Sequence, residues 1–344
     1  MKKTEKVGVI DFAIGGQAVL EGVMMRSPNF YTVSVRNPDG KICCTQKKFR
    51  SITKKVAILS LPILRGLIHL AESMMIGFRA LSYSSDVFLG EEEKKVPRGR
   101  FLSVLYAVGT GLYVIFTFAF TIFLLKFLPL FVAEKVAEIW SVAANYYIVF
   151  NAIDGLTKII LFLGYLFLIS LLPDIKRVFE YHGAEHKVVF TYEKGLALTV
   201  ANARKQSRFH PRCGTSFIFI VILMSVLVYT LLPSVDGFWP NLGQRILALP
   251  LIAGLSYELL KLSAKFQSSL VVRALIWPGL MLQRLTTREP KDDQIEVALN
   301  SLKKSLESEE SLSAEFGIGE IFNSAFFLFF ACAILGCCGH SGTM

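Results

Sequence analysis

Between Phe101 and Leu125 the chain carries no charged residue. At ~1.5 Å of rise per residue such a run crosses a hydrocarbon layer of ~30 Å. In lipid every backbone polar group has to be satisfied within the segment, so the run is read as a helix. Further apolar stretches occur at about Leu156–Leu172, Gly214–Leu232 and Gln244–Ala264, the last interrupted by Glu258 and Lys261. Lys158 is expected to snorkel from the end of its span. The chain as a whole is 53% hydrophobic with a mean hydropathy of +0.50, too apolar for an ordinary soluble enzyme. The expected fold class is therefore mainly α: a polytopic α-helical membrane protein of about four transmembrane helices. The apolar tail 321–338 is a candidate fifth.

The regions outside these spans read differently. Residues 1–53 form a β-rich segment: Val7–Phe12 is a short apolar run and Gly15-Gly16 a turn. Tyr31–Val35 alternates with period two and pairs back to Lys41–Thr45 across Asn37-Pro-Asp-Gly40. Residues 54–100 read as a membrane-surface amphipathic helix, started or kinked at Pro62, followed by a polar linker at Glu91–Arg100. Residues 101–285 are the bundle, with a short amphipathic re-entry at 268–285; residues 286–344 hold a polar helix and the apolar tail.

A net charge of +10 invites a nucleic-acid reading, but no basic and aromatic groove pattern accompanies it. Basic residues crowd instead before the first span and in the 174–212 loop, while 134–146 and 233–243 are poor in them. The positive-inside rule places both termini and the 174–212 loop in the cytoplasm. Six cysteines, two adjacent pairs and two single residues, make no disulfide framework, which suits that compartment. The lysine-bearing N-terminus lacks an apolar core of signal-peptide length.

Chemistry concentrates in the 174–212 loop and just beyond it. His182, Glu185 and His186 stand in the order H-x-x-E-H. On a helix, residues four apart share a face, so both imidazoles reach one ion, and Glu185 lies where a carboxylate accepts a proton from a bound water. This is the spacing of inverted zinc-hydrolases. A catalytic zinc or similar divalent ion needs a third protein ligand, for which His210, Cys213 and Glu258 are the candidates. The structural alternatives are a solvated helix for the histidines, a buried helix-start cysteine for Cys213, and a Glu258–Lys261 pair. Near the N-terminus Gln17, Glu21 and Arg26 add polar groups that can fold over the histidines.

The segments GGQAVLEGVMMR, YHGAEHKVV, HPRCGTSF, LPLIAGLSYELLKL and PGLMLQRLTTREP with DDQIEVAL, spread over Gly15–Leu302, resemble the YqhQ-type family of bacterial membrane proteins. The resemblance implies an inner-membrane, multi-pass protein, and the family is described as predicted metal-dependent enzymes; it assigns no reaction. Two functions follow as expectations. The first is a membrane-embedded metal-dependent hydrolase with a cytoplasm-facing site, acting on a protein or lipid substrate. The second is a non-enzymatic factor that binds a protein or lipid partner, its polar motifs locking helices together.

Overall fold

The computed structural model describes residues 14–89, 100–211, 213–233, 235–266 and 269–312. The expected strand at Val7–Phe12, the linker around 90–99 and the apolar tail 321–338 lie outside them. The protein is mainly helical, with a small antiparallel sheet at its N-terminal end.

Four strands, β1 (Gly15–Val19), β2 (Gly22–Arg26), β3 (Phe30–Arg36) and β4 (Ile42–Lys48), pair in sequence order. The expected hairpin closes with Arg36 opposite Ile42, Gly40 taking the positive φ that its turn requires. The Gly15-Gly16 pair, expected as a turn, instead opens β1. The turn falls at Leu20-Glu21, where Glu21 has φ of 50°. Helix α1 (Leu64–Leu89) follows two short 3₁₀ turns. It covers one sheet face, where Ile76 and Ala80 pack on Val19, Met24 and Val33. Period-two alternation gives the sheet a second apolar face, with Val23 and Met25. There it packs on α6 (Pro173–Glu193) through Tyr181, Ala184 and Val188, and on a helix over 292–312 through Ile295, Ala298 and Leu302.

The membrane part begins with α2 (Arg100–Ile122), continued through a π turn at Phe123–Phe127 into α3 (Leu128–Ile139) and a short α4 (Ser141–Asn145). Then come α5 (Tyr147–Ser170), the α6 already described, a short α7 (Val200–Arg204), and α8 (Gly214–Leu231). The chain goes on through α9 (Phe238–Leu247), α10 (Leu249–Lys265) and α11 (Leu270–Thr286). Three stretches, Val108–Ile139, α5 and α8, are long and apolar enough to cross a membrane. A fourth, α9 with α10, does so as a pair bent by 43°. Pro250, which offers no N–H, sits in the first turn after the bend.

Two sequence expectations change here. The second span starts earlier than Leu156, and Lys158 does not snorkel. It is 4% exposed, and its ammonium contacts the Asp154 carboxylate. Asp154 also receives Arg245 at 2.8 Å, and Arg245 bonds the side-chain oxygens of Asn151 and Asn241. Charges inside a bundle survive only when paired in this way.

Segments 52–66 and α10 meet closely. Ile63 takes φ of 71°, which is unusual for a β-branched residue, and lies against Gly254 where a Cβ would come within 2.8 Å of the Ile63 carbonyl oxygen. The same contact brings Arg65 to Glu258.

Candidate metal centre

Helix α6 is polar in composition yet buried along one continuous stretch from Gly183 to Val189. It is enclosed by β1, by the 204–213 loop and by the link between α11 and the 292–312 helix. Gly183 makes the last contact possible, since a Cβ there would overlap the Arg288 carbonyl oxygen. Arg288 N–H bonds the Phe179 carbonyl at 2.9 Å, and Arg208 bonds the Thr287 carbonyl at 2.8 Å.

This wrapping sets the orientation of both histidines. His182 Nδ1 lies 2.8 Å from the Thr286 carbonyl oxygen and His186 Nδ1 2.5 Å from that of Arg208. A carbonyl only accepts, so each Nδ1 carries the proton and each Nε2 keeps its lone pair. His182 Nε2 faces Cys213 Sγ at 3.2 Å, and the ligand atoms of His182, His186 and Cys213 all lie within 4.8 Å of one another. Tetrahedral zinc with N and S ligands at ~2.0–2.3 Å requires separations of roughly 3.3–3.8 Å, so a small contraction closes the set. Cys213 is the N-cap residue of α8, its sulfur at the positive end of the helix dipole and 3.2 Å from the Thr215 hydroxyl.

Glu185 is buried beside this group, its Oε2 3.5 Å from His186 Nε2. Burial pushes its carboxyl above the usual range, opposed by the neighbouring His182 and His210 and by the bond it accepts from the Gly16 N–H. Gly16 is needed for that approach: a Cβ would stand 2.7 Å from Glu185 Cγ. Burial lowers the affinity of His186 for a proton, partly offset by Cys213, and burial likewise lowers that of His210. Neutral imidazoles are what a metal requires.

The other expected residues are placed apart from the trio. His210 has Nε2 3.3 Å from Glu193, and its backbone is clamped by Gln283 through two bonds of 2.7 Å; its ring centroid is 5.6 Å from that of His186. Glu258 bonds Arg65 through both carboxylate oxygens, Arg65 Nε at 2.7 Å, an arginine taking the place that Lys261 also offered in sequence. Gln17 packs against Gly77 of α1. Glu21 holds Arg177 (NH2 at 2.6 Å) and the Tyr181 hydroxyl at 3.2 Å, tying the β1–β2 turn to α6. Arg26 bonds Ser73 at 2.9 Å. Sequence reasoning missed Thr286, Arg208 and Gln283. Two act through backbone carbonyls, which leave no side-chain signature, and Gln283 acts on a backbone.

A cavity of about 730 Å³ opens in front of the group, lined by β1, α1, α6 and the start of α8. A family model described as "Protein of unknown function (DUF1385)" matches residues 61–308. The chain belongs to this DUF1385 family. A relative, "Uncharacterized protein YqhQ" of Bacillus subtilis (strain 168), is 38% identical over 306 residues, covering 86% of this chain and 93% of that protein. The His-Glu-His segment and Cys213 fall inside the stretch matched by the DUF1385 model. No solved structure matches.

Proposed function

We propose that the protein is a membrane-embedded metal-dependent hydrolase whose site lies where α6 meets the end of α8. The observation that supports this most is the double carbonyl clamp: both histidines are fixed at Nδ1, so both Nε2 lone pairs turn toward Cys213 Sγ. Such outer partners are the usual means of orienting metal-ligating histidines. His182, His186 and Cys213 would supply three ligands and leave a fourth position open, the arrangement of catalytic zinc. A divalent ion held there supplies a Lewis acid and makes a neighbouring water acidic near neutral pH.

The chain's own residues do the rest. Glu185, a buried carboxylate with raised proton affinity, accepts the proton of the attacking water and returns it to the leaving amine or alcohol of an amide or ester. His210 lines the same cavity, its Nε2 3.3 Å from Glu193. Thr286 and Arg208 hold the ligands in place. A cytoplasmic setting at the inner membrane follows from the charge pattern of the loops.

The alternative, a non-enzymatic factor with structural polar motifs, draws support from Glu258–Arg65 and Glu21–Arg177, which tie elements together. It leaves the carbonyl-clamped histidines without a purpose. Metal analysis of detergent-purified protein separates the readings: near-stoichiometric zinc or another divalent metal in the wild type and loss in His186→Ala is expected. Absence of bound metal from both, after growth with metal supplied, overturns the hydrolase.

A further inference from the structure

The cavity in front of the His/His/Cys group has a second wall with a different chemistry. It is formed by Arg26 at the end of β2, Lys54 of the first 3₁₀ turn and His69 of α1. Lys54 is exposed, and its ammonium has no partner among the described residues. Arg26 bonds Ser73, but its nearest carboxylate, Glu72, is 3.8 Å away. Glu72 accepts the Ser51 hydroxyl at 3.0 Å and the Ile52 N–H at 2.8 Å on Oε1, while its Oε2 faces His69 Nδ1 at 3.3 Å as well as Arg26. A guanidinium offers five donors, so Arg26 has several to spare.

The balance of charge on the lining is one-sided. Among the described residues its only acidic side chain is Glu185, which faces Gly16 and His186. A third positive element joins the basic wall: Gly214 and Thr215, the first residues of α8, line the cavity, and the leading N–H groups of a helix have no intrahelical acceptor. Apolar surface from the half-buried Val178 and Phe179 lines the same cavity. Because α8 is one of the candidate spans, the cavity sits at the level where that helix leaves the membrane.

We propose that this cavity binds a phosphate-bearing substrate, its phosphate between Arg26 and Lys54 and its apolar part along Val178 and Phe179. The phosphate belongs either to a lipid headgroup or to a soluble phosphorylated compound. Arg and Lys together match a phosphate in charge, and Arg matches it in geometry. The inference deepens the hydrolase reading: that the ligand is a substrate rests on the metal, whereas the binding of phosphate does not.

The test uses the full-length protein, produced with metal supplied, in a neutral detergent, titrated with short-chain phosphatidic acid, the matching diacylglycerol that lacks the phosphate, and inorganic phosphate. Phosphatidic acid is expected to bind on the order of tenfold more tightly than diacylglycerol, and Lys54→Glu and Arg26→Gln each to remove that preference. Lys54 is a surface residue, so its reversal leaves folding intact. Inorganic phosphate that competes with phosphatidic acid at similar affinity identifies a soluble phosphate as the natural source; weak or no competition identifies the lipid. Equal binding of the two lipids, or a preference untouched by both substitutions, overturns the proposal. His186→Ala is expected to lose metal and keep the preference. A wild type without metal but with the preference refutes the hydrolase alone, and metal without the preference refutes the phosphate site alone.

Discussion

Gly183 shows how much of the candidate centre depends on single atoms. By helix propensity it costs about 1 kcal/mol relative to alanine. Its reason for being there is the Arg288 carbonyl, seated where a Cβ would be. Gly183→Ala is expected to destabilise the protein by about 1–3 kcal/mol through overpacking. By pushing the 286–288 backbone off His182, it is also expected to weaken metal binding on the order of 10–100-fold. Thermal unfolding and metal titration of the same preparation read the two effects separately. Cys213→Ser keeps the size of the side chain and replaces a soft thiolate by a hydroxyl. It is expected to lower zinc affinity with little change in unfolding temperature, measured by competition with a chelator of known affinity. The pairing of His182 with His186 was legible because ligand chemistry and helical spacing are written in residue types. The choice among Cys213, His210 and Glu258 was not, because it depends on which segment folds back over α6.

The elements repeat this division. Uncharged runs marked the spans, and turn residues with alternation marked the β3–β4 hairpin, since both signals are local. The bend between α9 and α10 and the early start of α5 are tertiary: Asp154 and Lys158 look like a span boundary until Arg245 arrives from α9 to complete the group. Asp154 is the anion shared by two buried cations. Asp154→Asn is thus expected to cost about 3–5 kcal/mol by stranding Lys158 and Arg245, and Lys158→Met distinctly less, because Arg245 still answers the carboxylate. Scanning fluorimetry in detergent checks the order; equal effects would refute a shared anion. The Glu258–Arg65 pair has the same logic at the contact between α1 and α10, where sequence alone offered Lys261 as the nearer partner.

For the whole molecule, hydropathy established a membrane protein, while the layering of α1, sheet and α6 with the 292–312 helix came only with the structure. Each layer offers an apolar face, yet nothing local says which faces meet. Orientation follows from charge: reporter fusions ending in the 204–206 region are expected to be active in the cytoplasm, and fusions ending near 236 outside it. The opposite pattern would turn the site to the other side of the membrane.

The carbonyl clamp on His182 comes from Thr286, more than a hundred positions further along, and the seat of Gly183 from Arg288. Synthesis runs from the N-terminus, so every span between α6 and α11 is made before those carbonyls exist. An unfinished chain thus carries His182 without the carbonyl that aims it, although the Arg208 carbonyl that holds His186 is already made. The order of translation itself keeps the centre unformed until the membrane part has been threaded.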